Sequence, residues 1–239
     1  MPGGWVGARV GGVAFVAETV RRWGSLYAFA RSAGGDALGG RVAARVVAVP
    51  GGEWVVRHYS RGGWVAPLLG DRYLRVGEPR PIRESVVSAG ARARGVATPE
   101  VCAFVVHPRG AFYRADLATV RIPEATDLAD LSLGPGLLEE PERVEAWRAA
   151  GRLLRTVFDA GVVHTDLNLC NIVVTQPSGA AATAHLLDLD GGRLLRRPSP
   201  RHVHAMLQRL HRSRLKLEAR SGREVGEAAL VAFQEGLDG

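Results

Sequence analysis

The chain has 239 residues, 46% of them hydrophobic and 23% charged, which suits one large globular domain or two closely packed lobes. Its net charge is +7, carried almost wholly by arginine, and such a basic surface favours an anionic partner: nucleic acid, a phosphorylated substrate or an anionic membrane face. Two cysteines exclude a disulfide framework and give no zinc spacing, no apolar run is long enough for a membrane helix, and no signal peptide is recognised at the N-terminus.

The first predicted elements are strands. Residues 1–35 show no clean hydrophobic period, so no element is predicted there. Strands are predicted over Arg41–Val49 and Glu53–Tyr59, with Pro50, Gly51 and Gly52 as the turn between them. This hairpin indicates the start of a small N-terminal sheet.

Two features of the hairpin suggest phosphate binding. Gly39 and Gly40, just before the first strand, are candidates for the glycine-rich loop that covers nucleotide phosphates in kinase-like proteins. Such proteins also carry a strand lysine that holds the phosphates, but the only lysine here, Lys216, lies far along the chain. Arg57 is the best substitute, because arginine is always charged and grips phosphate in a fork. The alternative is that Arg57 belongs to a solvated basic strand end.

A helix is predicted from Ile82 to Arg94, with Gly95 as its stop signal. It carries Glu84, which we expect to pair with Arg57 as a kinase helix glutamate pairs with the strand lysine. The alternative is an acid placed favourably in a first helical turn. Strands are predicted over Val101–His107 and Phe112–Ile122.

The clearest predicted helix runs from Pro141 to Ala160, after a short one over Thr126–Leu133. Apolar residues recur on one face at spacings of three and four. We expect this helix to pack under the loop that follows it and to aim that loop.

That loop holds His164, Asp166 and Asn171 in the order H-x-D-x-x-x-x-N, and Asp188 follows seventeen positions later. Two apolar runs flank the turn formers at 177–179, which predicts a β-hairpin. Because antiparallel strands return to where they began, Asn171 and Asp188 should lie at one end of it.

This spacing is typical of protein-kinase-like phosphotransferases. Asp166 would accept the proton of the attacking hydroxyl, and Asn171 and Asp188 would hold a hard cation such as Mg²⁺, which prefers oxygen ligands. The alternative is a buried loop whose Asp and Asn cap turns. Cys170, within the loop, is expected to be a small apolar filler.

The C-terminal part is predicted to contain a basic helix, about Arg201–Leu217, and a short amphipathic helix, Glu224–Leu237. A basic helix of this kind could face lipid or nucleic acid, but more often it is a lobe helix with a solvated basic face.

Several stretches together resemble the lipopolysaccharide kinases, and among them the 3-deoxy-D-manno-octulosonic acid (Kdo) kinases most. They are R-H-Y-S-R-G-G, L-L-G-D-R-Y, H-T-D-L-N-L-C-N-I and L-L-D-L-D-G-G. The resemblance runs from about Gly39 to Leu217 and leaves the last twenty or so residues unmatched. Leu189 stands where the pattern usually has phenylalanine.

The resemblance implies an α+β, two-lobed protein-kinase-like fold: a small antiparallel sheet in residues 1–122 and a mostly helical catalytic lobe in residues 123–239. It implies transfer of phosphate from ATP, with Mg²⁺, to the 4-hydroxyl of a Kdo sugar on a lipid A precursor. Asp166 would be the base, Asn171 and Asp188 the metal ligands, and Arg57 and Glu84 the phosphate-positioning pair.

The resemblance also implies a peripheral protein at the cytoplasmic face of the bacterial inner membrane, in contact with its anionic surface. No nucleic acid partner is expected. Two alternatives stay open on the residues alone: a kinase-like phosphotransferase with another acceptor, of the aminoglycoside or choline type, or a non-catalytic basic binding module.

Overall fold

The computed structural model describes residues 5–8, 12–34, 37–38, 44–60, 70–134, 137–175 and 181–239. The chain divides into two compact units. The first comprises residues 1–86 and 100–121, and the second comprises residues 87–99 and 122–239. Residues 87–99 and residue 122, which were expected in the N-terminal lobe, group here with the second unit.

The first unit is built on an antiparallel sheet. Its strands are β1 (Trp5–Ala8), β2 (Ala37–Leu38), β3 (Ala44–Val49), β4 (Gly52–His58), β5 (Tyr73–Leu74), β6 (Val101–Arg109) and β7 (Phe112–Val120). They lie in the order β1-β6-β7-β4-β3-β2, and β5 pairs with β7. The predicted hairpin is β3–β4, and its register pairs Ala44 with Arg57 and Val49 with Gly52. The two predicted strands over 101–122 are β6 and β7.

Two helices precede this hairpin where the sequence predicted no element: α1 (Val13–Trp23) and α2 (Leu26–Ser32). Val16 and Val20 of α1, one turn apart, are buried against Val56 and Val105 of the sheet. Ser25 caps α2 by accepting a hydrogen bond from the Ala28 amide at 2.9 Å. These helices cover one face of the sheet.

The long helix α3 (Arg80–Ala93) begins two residues before its predicted start. Short strand β5 lies in a stretch where the sequence predicts no strand, and Tyr73 pairs there with Tyr113 of β7. The rings of these two tyrosines are stacked, with centroids 5.7 Å apart.

The second unit is mostly helical. Its helices are α4 (Leu128–Leu133), α5 (Glu140–Asp159), α6 (Pro200–Ser221) and α7 (Glu227–Asp238). The core forms around α5, where Trp147 is buried and donates through Nε1 to the Ser132 hydroxyl at 2.9 Å. The predicted helix over 141–160 is confirmed as α5.

Helices α5 and α7 meet through glycines. A Cβ added at Gly151 would collide with the Phe233 carbonyl oxygen, and one added at Gly236 would collide with the Arg148 carbonyl oxygen. The two backbones therefore approach more closely than alanine would allow. Trp147 and Phe233 pack edge to face beside this contact, at 5.8 Å between ring centroids.

Two small antiparallel sheets complete the second unit. The strand order in the first is β11 (Thr183–Leu186), β10 (Ile172–Thr175) and β8 (Thr126–Asp127). The second sheet pairs β12 (Arg193–Leu194) with β9 (Val162–Val163). The predicted hairpin is confirmed, because Ile172 pairs with Leu186 and Thr175 with Thr183. Among the described residues, no helix is both long enough and apolar enough to cross a bilayer.

Candidate active site

The loop between β9 and β10 presents Asp166 at the surface of the second unit. Asp166 is exposed, and two asparagine side chains hold its backbone. The Nδ2 atoms of Asn168 and Asn171 each donate to the Asp166 carbonyl oxygen at 2.9 Å. Asn168 also accepts from the Cys170 amide at 3.0 Å and so starts a single 3₁₀ turn, Leu169–Asn171. The carboxylate is accessible while its backbone is fixed.

His164 joins this loop to the loop that follows β11. The residue is 1% exposed, and burial lowers the pKa of its imidazole. Nδ1 accepts from the Asp166 amide at 3.1 Å, so Nε2 carries the proton and donates to the Leu187 carbonyl oxygen at 2.9 Å. One buried side chain thereby holds both loops.

Asp188 follows Leu187 with a backbone φ of 56°, in the left-handed region that few residues other than glycine adopt. Aspartate is among the residues that tolerate it. The Leu187 amide donates to the Asn171 carbonyl oxygen at 2.8 Å, which fixes the approach of Asp188 to Asn171. The predicted meeting of the hairpin ends is confirmed at the level of the backbone.

The far side of the Asp188 loop is also anchored. Arg193 pairs with Val163, and the Leu195 amide donates to the Gly161 carbonyl oxygen at 2.8 Å. The Thr165 hydroxyl donates to the Asp190 carbonyl oxygen at 3.2 Å. The loops carrying Asp166 and Asp188 are therefore tied together at both ends.

Helix α6 supports the Asp166 loop directly, which the sequence did not indicate. The Met206 sulfur accepts from the His164 amide at 3.2 Å, and the Ser213 hydroxyl accepts from the Leu169 amide at 3.3 Å. Helix α5 leads into the loop through β9, as expected, but the polar contacts come from α6. The basic helix is therefore a structural support as well as a charged surface.

The donor set at this site is oxygen. The Asn171 amide group is turned towards the Asp166 backbone, which leaves Oδ1 as a possible metal ligand beside the Asp188 carboxylate. Within the described ranges, no group of three or more His, Cys, Asp or Glu side chains could hold a metal. Two protein oxygens fit a small hard cation that takes its remaining ligands from water and phosphate.

In the first unit, Arg57 and Glu84 form the predicted ion pair. Glu84 is 4% exposed, and its Oε1 accepts from the Arg57 guanidinium. The Tyr59 hydroxyl donates to Oε2 of the same carboxylate. The Arg57 guanidinium also lies over the Tyr59 ring, 4.7 Å from its centroid. The glutamate thus receives one donor from β4 and one from the residue that follows it, and the solvated strand-end alternative for Arg57 is wrong.

His58, between these residues, faces the opposite side of β4. Its Nδ1 lies 2.6 Å from Asp116 Oδ1, and its Nε2 lies 3.1 Å from Asp71 Oδ2. The hydrogen bond to the buried Asp116 raises the pKa of His58, which favours the charged imidazolium. Asp116 also accepts from the Tyr27 amide at 3.1 Å, so this network fastens α2 to the sheet.

Two sequence expectations have other outcomes. Gly39 and Gly40, the candidate phosphate loop, lie outside the described residues. Cys170 was expected to be an apolar filler, but it is exposed on the 3₁₀ turn.

Sequence reasoning gave no role to Tyr59, Asn168 or Met206. The first two lie inside the motifs R-H-Y and H-T-D-L-N, and their position in those motifs was the available signal. Met206 carries no such signal, since its contact with His164 spans 42 positions.

Several known proteins are similar to this chain. It matches the model of the lipopolysaccharide kinase (Kdo/WaaP) family over residues 31–232. A 3-deoxy-D-manno-octulosonic acid kinase from Xanthomonas euvesicatoria pv. vesicatoria is 36% identical over 188 residues, covering 78% of this chain and 71% of that protein. One of the same name from Vibrio cholerae is 36% identical over 124 residues, covering 51% of each chain.

A solved structure described as WaaP in complex with acyl carrier protein has a TM-score of 0.56 to this chain. The match covers 92% of this chain and 85% of the chain in that structure. Because the sequence identity is only 16%, this likeness bears on the fold alone. The predicted kinase-like α+β fold is confirmed. With the family match covering most of the chain, this protein belongs to the lipopolysaccharide kinase (Kdo/WaaP) family.

Proposed function

We propose that this protein transfers the γ-phosphoryl group of ATP to the 4-hydroxyl of a Kdo sugar on a lipid A precursor. The observation that carries the proposal is the fixed approach of Asp166, Asn171 and Asp188 in the second unit. Family membership and the names of relatives at 36% identity support a Kdo acceptor.

Asp166 is the base. The hydroxyl oxygen of the sugar forms a bond to the γ-phosphorus, the bond from that phosphorus to the ADP oxygen breaks, and the hydroxyl proton passes to an Asp166 carboxylate oxygen. The carboxylate suits this step because it is exposed while its backbone carbonyl accepts from two amide side chains. Catalysis of this reaction depends on positioning more than on covalent chemistry.

Asn171 and Asp188 would hold Mg²⁺. The ion, when bound, supplies charge that neutralises the phosphate oxygens during transfer. The oxygen atoms of this pair fit that ion. His164 keeps the Asp188 loop in place, because it accepts a hydrogen bond from the Asp166 amide and donates one to the Leu187 carbonyl oxygen. His164 is therefore a positioning residue.

Arg57 would contact the nucleotide phosphates in place of the usual lysine. It is 17% exposed at its side chain, and Glu84 fixes one edge of the guanidinium. Because a guanidinium carries five N–H donors, pairing with Glu84 is compatible with a further contact to phosphate.

The acceptor would place the protein at the cytoplasmic face of the inner membrane, against its anionic surface. The net charge of +7 supports this, since a Kdo-bearing lipid A precursor and the surrounding lipids are anionic. Electrostatic attraction of this kind would hold the protein at the surface of the leaflet, as a peripheral enzyme.

The test is phosphate transfer from labelled ATP, with Mg²⁺, to detergent-solubilised Kdo-lipid A. The parent should label the acceptor, and Asp166→Asn should bind ATP normally while losing turnover. Asp159→Asn is the matched control, because Asp159 is 76% exposed at its side chain and lies at the end of α5. Label in choline or an aminoglycoside, with none in Kdo-lipid A, would show that the acceptor assignment is wrong.

A further inference from the structure

One end of the first unit's sheet carries an apolar and basic tip. We define the tip as residues 71–78, which include β5, and residues 109–114, which comprise the end of β6, the turn at 110–111 and the start of β7. Leu74 pairs with Phe112, and the Arg75 amide donates to the Ala111 carbonyl oxygen at 2.8 Å. The two segments therefore lie side by side.

The tip exposes aliphatic side chains. Strand alternation turns Tyr73 and Tyr113 inwards, where each is 5% exposed, and turns Leu74 outwards. Leu74 is 51% exposed and Val76 is 83% exposed, the highest value for a large apolar side chain among the described residues. These two side chains, two positions apart, form a small exposed apolar patch at the tip.

The same two segments carry four arginines. The tip contains Arg72, Arg75, Arg109 and Arg114 against two carboxylates, Asp71 and Glu78. Asp71 already pairs with Arg114, Nε to Oδ2 at 2.8 Å. The surroundings of the apolar pair are thus basic, and long arginine side chains can reach phosphate while their stems pack on apolar surface.

We propose that this tip docks the protein on an anionic lipid surface, with Leu74 and Val76 entering the headgroup boundary and the arginines contacting lipid phosphates. The inference rests on the proposed function, in which the acceptor is a lipid. Lipid is the occupant we infer, because the exposed aliphatic pair can enter an apolar phase while the net positive charge of the tip complements lipid phosphates. This combination matches the composition of an interfacial membrane anchor.

The test is co-sedimentation of the full chain with vesicles of phosphatidylcholine and phosphatidylglycerol, and with phosphatidylcholine alone. The parent should bind the anionic vesicles more tightly, and salt should weaken that preference. The double variant Leu74→Asp/Val76→Asp should bind at least about tenfold more weakly, and Arg75→Gln about fivefold more weakly. Val76→Asp alone keeps the β5 strand unchanged and should show an intermediate loss.

Val231→Asp is the matched control. Val231 is 51% exposed, like Leu74, but lies on α7 beside Glu227 and Glu235 in a shallow pocket. Its substitution should leave vesicle binding as in the parent, because the two glutamates beside Val231 outnumber the one arginine, Arg148, which already pairs with Glu235. All variants should phosphorylate detergent-solubilised Kdo-lipid A at the parental rate, which separates failure of docking from failure of the proposed function.

Three results would overturn the docking proposal. The double variant could bind anionic vesicles as the parent does. Its melting temperature could fall by several degrees, which would mean that another part of the chain covers the apolar pair. The parent could run as a dimer that the variant dissociates, which would make the tip an interface between copies.

Discussion

Replacing Tyr59 by phenylalanine removes one hydroxyl and tests how the first unit holds its phosphate-positioning pair. The hydroxyl donates to Glu84, whose carboxylate is 4% exposed and also receives the Arg57 guanidinium. A hydrogen bond to a buried charged group contributes about 1.5–3 kcal/mol to the free energy of unfolding. Urea denaturation should therefore show Tyr59→Phe to be about 2 kcal/mol less stable than the parent.

The same change should weaken ATP binding. With Glu84 held less firmly, Arg57 is less well positioned, and a loss of about 1 kcal/mol in nucleotide binding raises the KM for ATP about fivefold. The kcat should change less, since Asp166 is untouched. Steady-state kinetics at varied ATP and saturating acceptor measures both quantities.

Tyr113→Phe is the control. Tyr113 is as buried as Tyr59 and lies in the same aromatic cluster, but its hydroxyl accepts from the Arg80 amide at 3.1 Å. Its loss should cost about 1 kcal/mol of stability with no change in the KM for ATP. An equal effect of both variants on that KM, or a Tyr59→Phe protein within about 0.5 kcal/mol of the parent, would refute the positioning role.

Three further predictions concern other parts of the molecule. Asp116→Asn should lower the pKa of His58 towards its ordinary value, measured by NMR titration of the imidazole, because the Asp116 hydrogen bond is the main cause of the raised pKa. The folded protein holds that proton more tightly than the unfolded chain does. The stability that His58 contributes is therefore present below about pH 6.5 and is lost as the pH rises through the raised pKa. An unchanged pKa of His58 in the variant would contradict this account. Gly151→Ala should lower the unfolding free energy by about 1–3 kcal/mol in urea titrations, because the added methyl group meets a backbone carbonyl of α7. An unchanged urea midpoint would show that α5 and α7 can separate freely. Iodoacetamide should modify Cys170 rapidly and Cys102 slowly, because the first thiol is exposed and the second is buried. Peptide mass spectrometry measures both rates, and equal rates would contradict the difference in exposure.

The sequence was most informative where chemistry and local pattern coincide. The hairpin of β10 and β11 could be predicted because apolar runs flank turn formers, and the order of Asp166, Asn171 and Asp188 is typical of phosphotransferase loops. The Arg57–Glu84 pair could be expected because a phosphate-binding strand needs a partner on the following helix.

Contacts between distant residues could not be predicted. The bond between His58 and Asp116 spans 58 positions, and nothing local to either residue specifies it. The contact between Met206 and the His164 amide depends on how α6 packs, which periodicity does not report. Helix α1 is different, because its buried residues Val16, Thr19 and Val20 recur at helical spacing and its period could have been recognised from the sequence.

The arginine at position 57 has a consequence for chemical labelling. Reagents that mark nucleotide sites by acylating an amine require a lysine beside the phosphates, and a guanidinium stays protonated and unreactive towards them at neutral pH. The chain's single lysine, Lys216, is exposed on α6. We expect such a reagent to modify Lys216 at a rate that ATP does not change, so that lysine-directed profiling would overlook this kinase while it is fully active.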